Sequence, residues 1–320
     1  MLLAIVGLIT GLVLLVYGAD RFVIGAGSTA RNLGVSPLII GLTIVGFATS
    51  APEILVGSVA AWQGRTEMAI GNAIGSNITN IALVLGATVA IMPVTVNSRA
   101  LRREYYFMLA VIVIALLALL DLHLSRIDAG LLLLVMIGIT WLIIVASRRS
   151  RQPDLLISEI QKELATTLNV KQSAWLLALG IILLVSGAEV LVRSAVVIAK
   201  HFGLSDLVIG LTIIAIGTSL PELAASIMSV IKKEAELAIG NIIGSNMYNM
   251  LAVLGIPALI QPTAFEQAVL LRDYPVMLAL TLLMGAMVFI FGAGRFTRLE
   301  GLFLLGCFGA YQYFIFSHGS

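Results

Sequence analysis

The sequence predicts an all-α polytopic membrane protein whose ten transmembrane helices form two inverted five-helix repeats. Three observations support this fold class. Hydrophobic residues make up 60% of the 320 residues and charged residues only 11%, whereas soluble domains carry roughly 25% charged residues. Apolar stretches long enough to cross a bilayer recur along the chain. The second half of the sequence also repeats the first half at a fixed spacing.

Each predicted span is a run of about 20 apolar residues, the length that a helix needs to cross the hydrocarbon core. The first run has no positively charged start, so we expect it to be a span and not a cleaved signal peptide. The ten predicted spans are 2–18, 35–61, 68–92, 105–121, 128–147, 173–190, 204–231, 236–260, 274–292 and 298–316.

One long polar interval divides the chain into three parts. We predict a first five-helix repeat over 1–147, a linker over 148–172 and a second five-helix repeat over 173–320. The part of the linker at 155–168 is consistent with a short interfacial helix, although a solvated connection is the simpler interpretation.

A single constant offset, which places position 34 on position 203, aligns the two halves without a gap. At this repeat offset, residues 34–56 and 203–225 share 12 of 23 positions, and residues 69–80 and 238–249 share 9 of 12. Such agreement at one offset indicates a duplication. Because each half contains an odd number of spans, the second half enters the membrane from the opposite side, so the repeats are inverted, as is common in secondary transporters.

The distribution of Lys and Arg predicts the orientation, because cytoplasmic loops carry an excess of both. With the N-terminus outside, the outer side holds only five of the 19 basic residues. We therefore expect a multi-pass protein of the cell membrane with both termini outside and the central linker in the cytoplasm. The five outer basic residues are Arg65, Arg126, Arg193, Lys200 and Arg272.

Two proline–glutamate pairs stand inside predicted spans, in FATSAPEIL at 47–55 and IGTSLPELA at 216–224. Proline lacks an N–H, so the carbonyl four residues earlier loses its helical donor and the turn opens. In lipid such a carbonyl costs several kcal/mol, roughly, unless it lines a cavity or meets a cation. A glutamate at mid-span is costly and is usually functional. Glu53 and Glu222 are therefore the main candidates for a site.

Other oxygen-bearing side chains share helix faces with these glutamates or with each other at spacings of three or four residues. Thiolate and imidazole ligands are missing from the pattern, so calcium or sodium fits it better than a softer metal. For Ser76 and Ser245, simple helix packing is an equally good interpretation. The candidate ligands are Thr49, Ser50, Glu53, Ser76, Asn80, Thr218, Ser219, Glu222, Ser245 and Asn249.

The remaining polar residues of the spans have simpler interpretations. The turns GNAIGSN and GNIIGSN indicate close helix packing rather than phosphate binding. We expect Asp20 and Glu189 to lie near the ends of their spans, outside the site. The single cysteine, Cys307, excludes an internal disulfide and is expected to pack. Residues expected to hydrogen-bond backbone groups at the helix packing are Asn72, Asn77, Asn241 and Asn246.

The repeated segments resemble the sodium/calcium exchanger family of cation/calcium antiporters, whose two alpha repeats carry a pattern close to G-[TS]-S-x-P-E followed by G-S-N-x-x-[ND]. The matching residues are ATSAPE with GSNITN, within 41–80, and GTSLPE with GSNMYN, within 210–249. The resemblance implies a secondary active antiporter that exchanges Ca²⁺ for Na⁺ by alternating access. It further implies that the first span of each half slides against a core formed by the other spans.

The same resemblance implies the distribution of ligands. Calcium would lie between Glu53 and Glu222, with Thr49 and Thr218 alongside. It implies no cofactor, only the transported ions and the lipid bilayer as partners, and the net charge of +2 does not suggest nucleic acid. Sodium sites would use Ser50, Ser76, Asn80, Ser219, Ser245, Asn249 and backbone oxygens near Gly46 and Ala215.

The sequence leaves alternatives to sodium-driven exchange. Ala48 stands where the family usually has glycine, and Asn249 stands where the potassium-dependent branch carries an aspartate, which argues against potassium coupling. A proton-driven calcium exchanger is a closer rival. A cation channel would need a continuous pore, and an intramembrane enzyme would need an acid and a base in different surroundings. The two glutamates have nearly identical surroundings in the sequence, which favours a transporter.

Overall fold

The computed structural model describes residues 1–95, 98–149, 168–202, 215–291 and 294–318. These ranges are almost entirely helical, and we number the helical segments in chain order. They are α1 Leu2–Leu33, α2 Pro37–Trp62, α3 Thr66–Ile91, α4 Ser98–Leu119, α5 Arg126–Arg149, α6 Val170–His201, α7 in two pieces (Ala215–Thr218 and Leu220–Ile231), α8 Ala235–Ile260, α9 Val269–Phe291 and α10 Arg298–His318. Within the same ranges, four two-residue strands lie in connections between helices: β1 Val94–Thr95, β2 His123–Leu124, β3 Thr263–Ala264 and β4 Arg295–Phe296.

The structure is that of a multi-pass membrane protein. Within the described residues, seven helices are long and apolar enough to cross a bilayer, and a shorter apolar helix covers Leu220–Ile231. Helices α3 and α8 are the most buried of the seven, so they form the centre of the molecule, while α1, α5 and α6 face outward over most of their surface.

Helix α1 is longer than the predicted span 2–18. It continues to Leu33, where Gly34 adopts a left-handed conformation with φ of 65° and caps the last carbonyl groups. No proline interrupts residues 19–33, so the polar Asp20 and Arg21 are carried inside the helix. Asp20 therefore lies within the helix and not at its terminus, and its predicted place near the end of the membrane span stays a prediction.

Helices α1 and α6 pack antiparallel through glycines. A Cβ atom on Gly11 would lie 2.6 Å from the backbone nitrogen of Leu191, and one on Gly25 would lie 2.4 Å from that of Leu177. The start of α1 thus lies beside the end of α6, and the end of α1 beside the start of α6. Small residues at such a contact allow two membrane helices to approach closely.

Contacts between the halves come in reciprocal pairs. Strand β1 pairs with β4 and β2 pairs with β3, both antiparallel. The Tyr105 hydroxyl donates a 3.0 Å hydrogen bond to the carbonyl of Thr281, and the Tyr274 hydroxyl donates to the carbonyl of Ile112. Position 105 corresponds to 274 and position 112 to 281, so each half makes the same contact with the other.

Candidate ion-binding site

Each candidate glutamate follows a one-residue interruption of its helix. Ser50 interrupts α2 with φ of −80° and ψ of 3°, and Ser219 interrupts α7 with φ of −89° and ψ of 6°. In both helices a proline occupies the next turn, where a missing N–H costs little. Glu53 and Glu222 therefore lie in the first turn of a helical segment, whose positive dipole end favours a carboxylate. The helices are thus interrupted beside the prolines, whereas the predicted freeing of the Ala48 and Gly217 carbonyls stays a prediction.

The two carboxylates are buried and border groups from the opposite half. Glu53 and Glu222 are each only 1% exposed. The Ser50 hydroxyl donates a 3.4 Å hydrogen bond to Glu222 Oε1, and Thr218 lies beside the Glu53 carboxylate. Each half thus supplies a hydroxyl to the carboxylate of the other half.

Thr49 connects α2 to α8 within the same cluster. Its hydroxyl donates to Asn241 Oδ1 at 3.0 Å and lies 3.2 Å from the Ser245 hydroxyl. Ser245 also donates to the Gly46 carbonyl at 3.4 Å. A Cβ atom on Gly46 would lie 2.9 Å from the backbone nitrogen of Ser245, so glycine is needed for this close approach. The structure therefore brings three predicted ligands, Thr49, Ser50 and Ser245, into one contact region with Glu222, and Gly46 borders it.

Two asparagines hold the backbone of the glutamates. Asn72 Nδ2 lies 3.5 Å from the Glu53 carbonyl, and Asn241 Nδ2 lies 3.4 Å from the Glu222 carbonyl. The repeat offset places Asn72 on Asn241, just as it places Glu53 on Glu222. The expectation that these asparagines bond backbone groups is confirmed, and the bonds join the backbone of each glutamate to the following helix.

Five predicted ligands carry a buried oxygen without a hydrogen-bond partner in the described part of the structure. Buried polar atoms are nearly always paired, so such a concentration calls for a chemical reason. Carboxylate, hydroxyl and amide oxygens together suit a hard cation such as calcium or sodium. The atoms are Glu53 Oε2, Glu222 Oε2, Ser219 Oγ, Asn80 Oδ1 and Asn249 Oδ1.

The pattern of spacings missed a role of Asn77. Its Nδ2 donates to the carbonyl of Asn246 at 3.2 Å, so its Oδ1 must face the other way, where it accepts from Asn249 Nδ2 at 3.1 Å. This bond turns the Asn249 carbonyl oxygen away from Asn77 and leaves it unpaired. Spacing could not reveal the contact, because Asn77 and Asn249 belong to different halves.

The other predicted ligands lie on α3, on α8 and at the start of the described part of α7. Ser76 is buried on α3, and Asn80 begins a π-helical turn over Asn80–Leu85. Asn249 begins the corresponding turn over Asn249–Val253. Such turns are frequent at functional sites. Thr218 is half-buried, and Ala215 begins the described part of α7, so its surroundings include residues outside the described ranges.

A buried, oxygen-rich cluster contributed by two repeated halves of a multi-pass membrane protein is typical of a cation transporter. The comparison with protein families agrees with this class. The family model described as "Sodium/calcium exchanger protein" matches residues 3–145 and 172–317. The chain therefore belongs to the sodium/calcium exchanger family and is a cation/Ca²⁺ antiporter.

Individual relatives cover almost the whole chain. It is 48% identical to the putative antiporter CaxA of Alkalimonas amylolytica, over 99% of this chain and 100% of that protein. It is 30% identical to the sodium/calcium exchanger MaX1 of Methanosarcina acetivorans, over 97% of both. The solved structure of the sodium/calcium exchanger from Methanococcus jannaschii superposes with a TM-score of 0.82 at 30% identity, over 97% of both chains.

Proposed function

We propose that this protein exchanges Ca²⁺ for Na⁺ across the cell membrane by alternating access at a site formed by Glu53 and Glu222. One observation carries the proposal: two buried carboxylates from different halves border each other's hydroxyl groups and retain unpaired oxygens. The choice of sodium as the driving ion is supported by the relatives, two of which are named sodium/calcium exchangers.

The antiport follows from electrostatics. Two carboxylates that are 1% exposed are costly to move while bare, because charges lose their hydration inside the membrane. One calcium ion, or several sodium ions, compensates them and allows the change of access. We assign calcium to Glu53 and Glu222, with Thr49 and Thr218 alongside. The remaining predicted ligands would serve sodium. If more than two sodium ions enter per calcium, each net charge contributes about 2.3 kcal/mol per 100 mV.

We further propose that the ten helices are ten spans in two inverted repeats, with both termini outside and the linker in the cytoplasm. The antiparallel packing of α1 and α6, which occupy equivalent places in the two halves, supports inversion. The strand pairs also agree with it. The connections that contain β1 and β4 fall on the predicted inner side, and those that contain β2 and β3 fall on the predicted outer side.

Calcium-45 uptake into proteoliposomes tests this function. Vesicles loaded with sodium, with potassium or at acidic pH would be diluted into calcium-45 solution. We expect uptake only with the outward sodium gradient, and a loss of about 100-fold or more in Glu53→Gln and Glu222→Gln, because each removes one charge from a buried ion site. Glu189→Gln removes a carboxylate that is 56% exposed and serves as the matched control.

Other results of this assay would point elsewhere. Equal uptake with a proton gradient would replace sodium by protons as the driving ion. Uptake that ignores every gradient would indicate a channel. Uptake that survives both substitutions would remove Glu53 and Glu222 from the site.

A further inference from the structure

Two ion pairs tie α1 to the turn between α7 and α8. Lys232 Nζ lies 2.6 Å from Asp20 Oδ1, and Arg31 Nη1 lies 3.1 Å from Glu234 Oε1. We call these two pairs the ionic latch. Neither pair belongs to the candidate ion-binding site. Both join α1 to the turn that follows α7, the helix that carries Glu222.

The surface of α1 is shaped to receive the latch. A Cβ atom on Gly27 would lie 2.8 Å from Glu234 Oε1, so the glycine lets this carboxylate lie close against the helix. Arg31 is held in place from its own helix, since its Nη2 donates to the Ser28 hydroxyl at 3.3 Å.

The opposite end of the molecule cannot form the same latch. The repeat offset places Lys232 on Gln63, which carries no charge. It also places Glu234 on Arg65 and Arg31 on Lys200, so two positive charges would face each other. Glu189, the counterpart of Asp20, pairs instead with Arg193 of its own helix. The duplicated halves therefore differ in this feature.

The latched end is also the more closely packed end. Near the latch, Phe22 and Ala26 of α1 are completely buried, and α1 packs along α7. At the equivalent place on α6, Leu191 and Ala195 are partly exposed. Among the described residues, α6 touches the Ala51–Trp62 part of α2 at most marginally. Within the described residues, packing is thus closer at the α7–α8 turn than at the α2–α3 turn.

We propose that the ionic latch biases the protein toward the conformation that is closed at the α7–α8 turn, which is the outward-facing one in the predicted orientation. This inference rests on the proposed alternating access, in which α1 moves against the other helices. Partly exposed ion pairs shift a two-state equilibrium by up to about five-fold each, and less at high salt. If both ends of the protein carried the same ion pairs, these pairs would favour neither conformation.

Distances between spin labels test the latch in the full-length protein. Trp62→Cys and Phe202→Cys place labels on exposed residues at the looser end, in a Cys307→Ser background. Lys232→Gln with Glu234→Arg copies the residues of the opposite end and removes both pairs. We expect the population with the shorter label distance to rise about five-fold, because the looser end closes when the latched end opens. An unchanged distance distribution would overturn the proposal.

A charge exchange provides the matched control. Asp20→Lys places two positive charges together and is expected to give the same shift, whereas Asp20→Lys combined with Lys232→Asp should restore the original distribution. Failure of the exchange to restore it would count against the latch. Sodium-driven calcium uptake by the unmodified protein separates the two proposals. Sodium-driven exchange by the unmodified protein with unchanged distances in the variants would overturn only the latch. Shifted distances in the variants with no exchange by the unmodified protein would overturn only the proposed transported ions.

Discussion

At the scale of single residues, the buried carboxylates of Glu53 and Glu222 are unfavourable for the stability of the ion-free protein. Each keeps one buried oxygen without a hydrogen-bond partner, and the two carboxylates lie in one cluster. Ionised carboxylates in such a place lose hydration and repel each other. We therefore expect the ion-free site to lower the stability of the protein, and a cation bound there, as proposed, to restore it.

Replacing one of the two carboxylates by an amide should raise the stability of the ion-free protein. At alkaline pH and with a chelator present, we expect Glu53→Gln to raise the unfolding temperature, by about 2–4 °C for each kcal/mol of removed repulsion. The same variant should lose the stabilisation that calcium gives to the unmodified protein. Thermal unfolding in detergent measures both effects, with Glu189→Gln as the control. A lower unfolding temperature of Glu53→Gln in chelator would contradict this account.

The residues of the candidate site were predictable to the extent that they lie on one helix. Proline next to glutamate, with hydroxyls three and four residues away, identified Thr49, Ser50 and Glu53 and their counterparts. The bond from Asn249 to Asn77 joins the two halves, so no spacing along the chain could reveal it. The roles of the predicted ligands in binding particular ions stay predictions.

At the scale of helices, glycines control how closely elements approach. A Cβ atom on Gly180 of α6 would lie 2.5 Å from the backbone nitrogen, Cα and Cβ of Phe22 on α1. Backbone atoms cannot move aside without shifting the whole helix. The pair of helices that the family resemblance expects to slide is therefore held together by contacts that tolerate no added methyl group.

A single methyl group at this contact should destabilise the protein. We expect Gly180→Ala to lower the free energy of unfolding by about 1–3 kcal/mol, the usual cost of overpacking. Gly138→Ala on α5 is the control, since a Cβ atom there meets nothing within 4 Å. The measurement is the unfolding temperature of each variant in detergent, which we expect to be lower for Gly180→Ala than for Gly138→Ala. Equal temperatures for the two variants would show that α1 and α6 can separate at no cost.

The helices themselves were largely predictable from apolar runs, but their ends and irregular turns were not. The run that ends at residue 18 hid the continuation of α1 to Leu33, because Asp20 and Arg21 are polar yet helical and Asp20 pairs with Lys232. The π-helical turns at Asn80 and Asn249 have no signal in the apolar pattern.

At the scale of the whole molecule, the repeat predicts that equivalent residues lie on opposite sides of the membrane. Trp62 and Ile231 are equivalent, exposed and at the ends of their helices. In a Cys307→Ser background, we expect a membrane-impermeant thiol reagent to label Trp62→Cys from outside and Ile231→Cys only from the cytoplasmic side. Labelling of both from one side would exclude the inverted arrangement.

The reciprocal bonds of Tyr105 and Tyr274 have a consequence for biosynthesis. Chains are made from the N-terminus, so α4 and Tyr105 enter the membrane well before the Thr281 carbonyl exists. Strands β1 and β2 likewise have no partner strand until β4 and β3 are synthesised. The first half therefore lacks these contacts until the last helices have been inserted. A truncated product would expose unpaired polar groups to lipid, which makes it a natural target for membrane quality control.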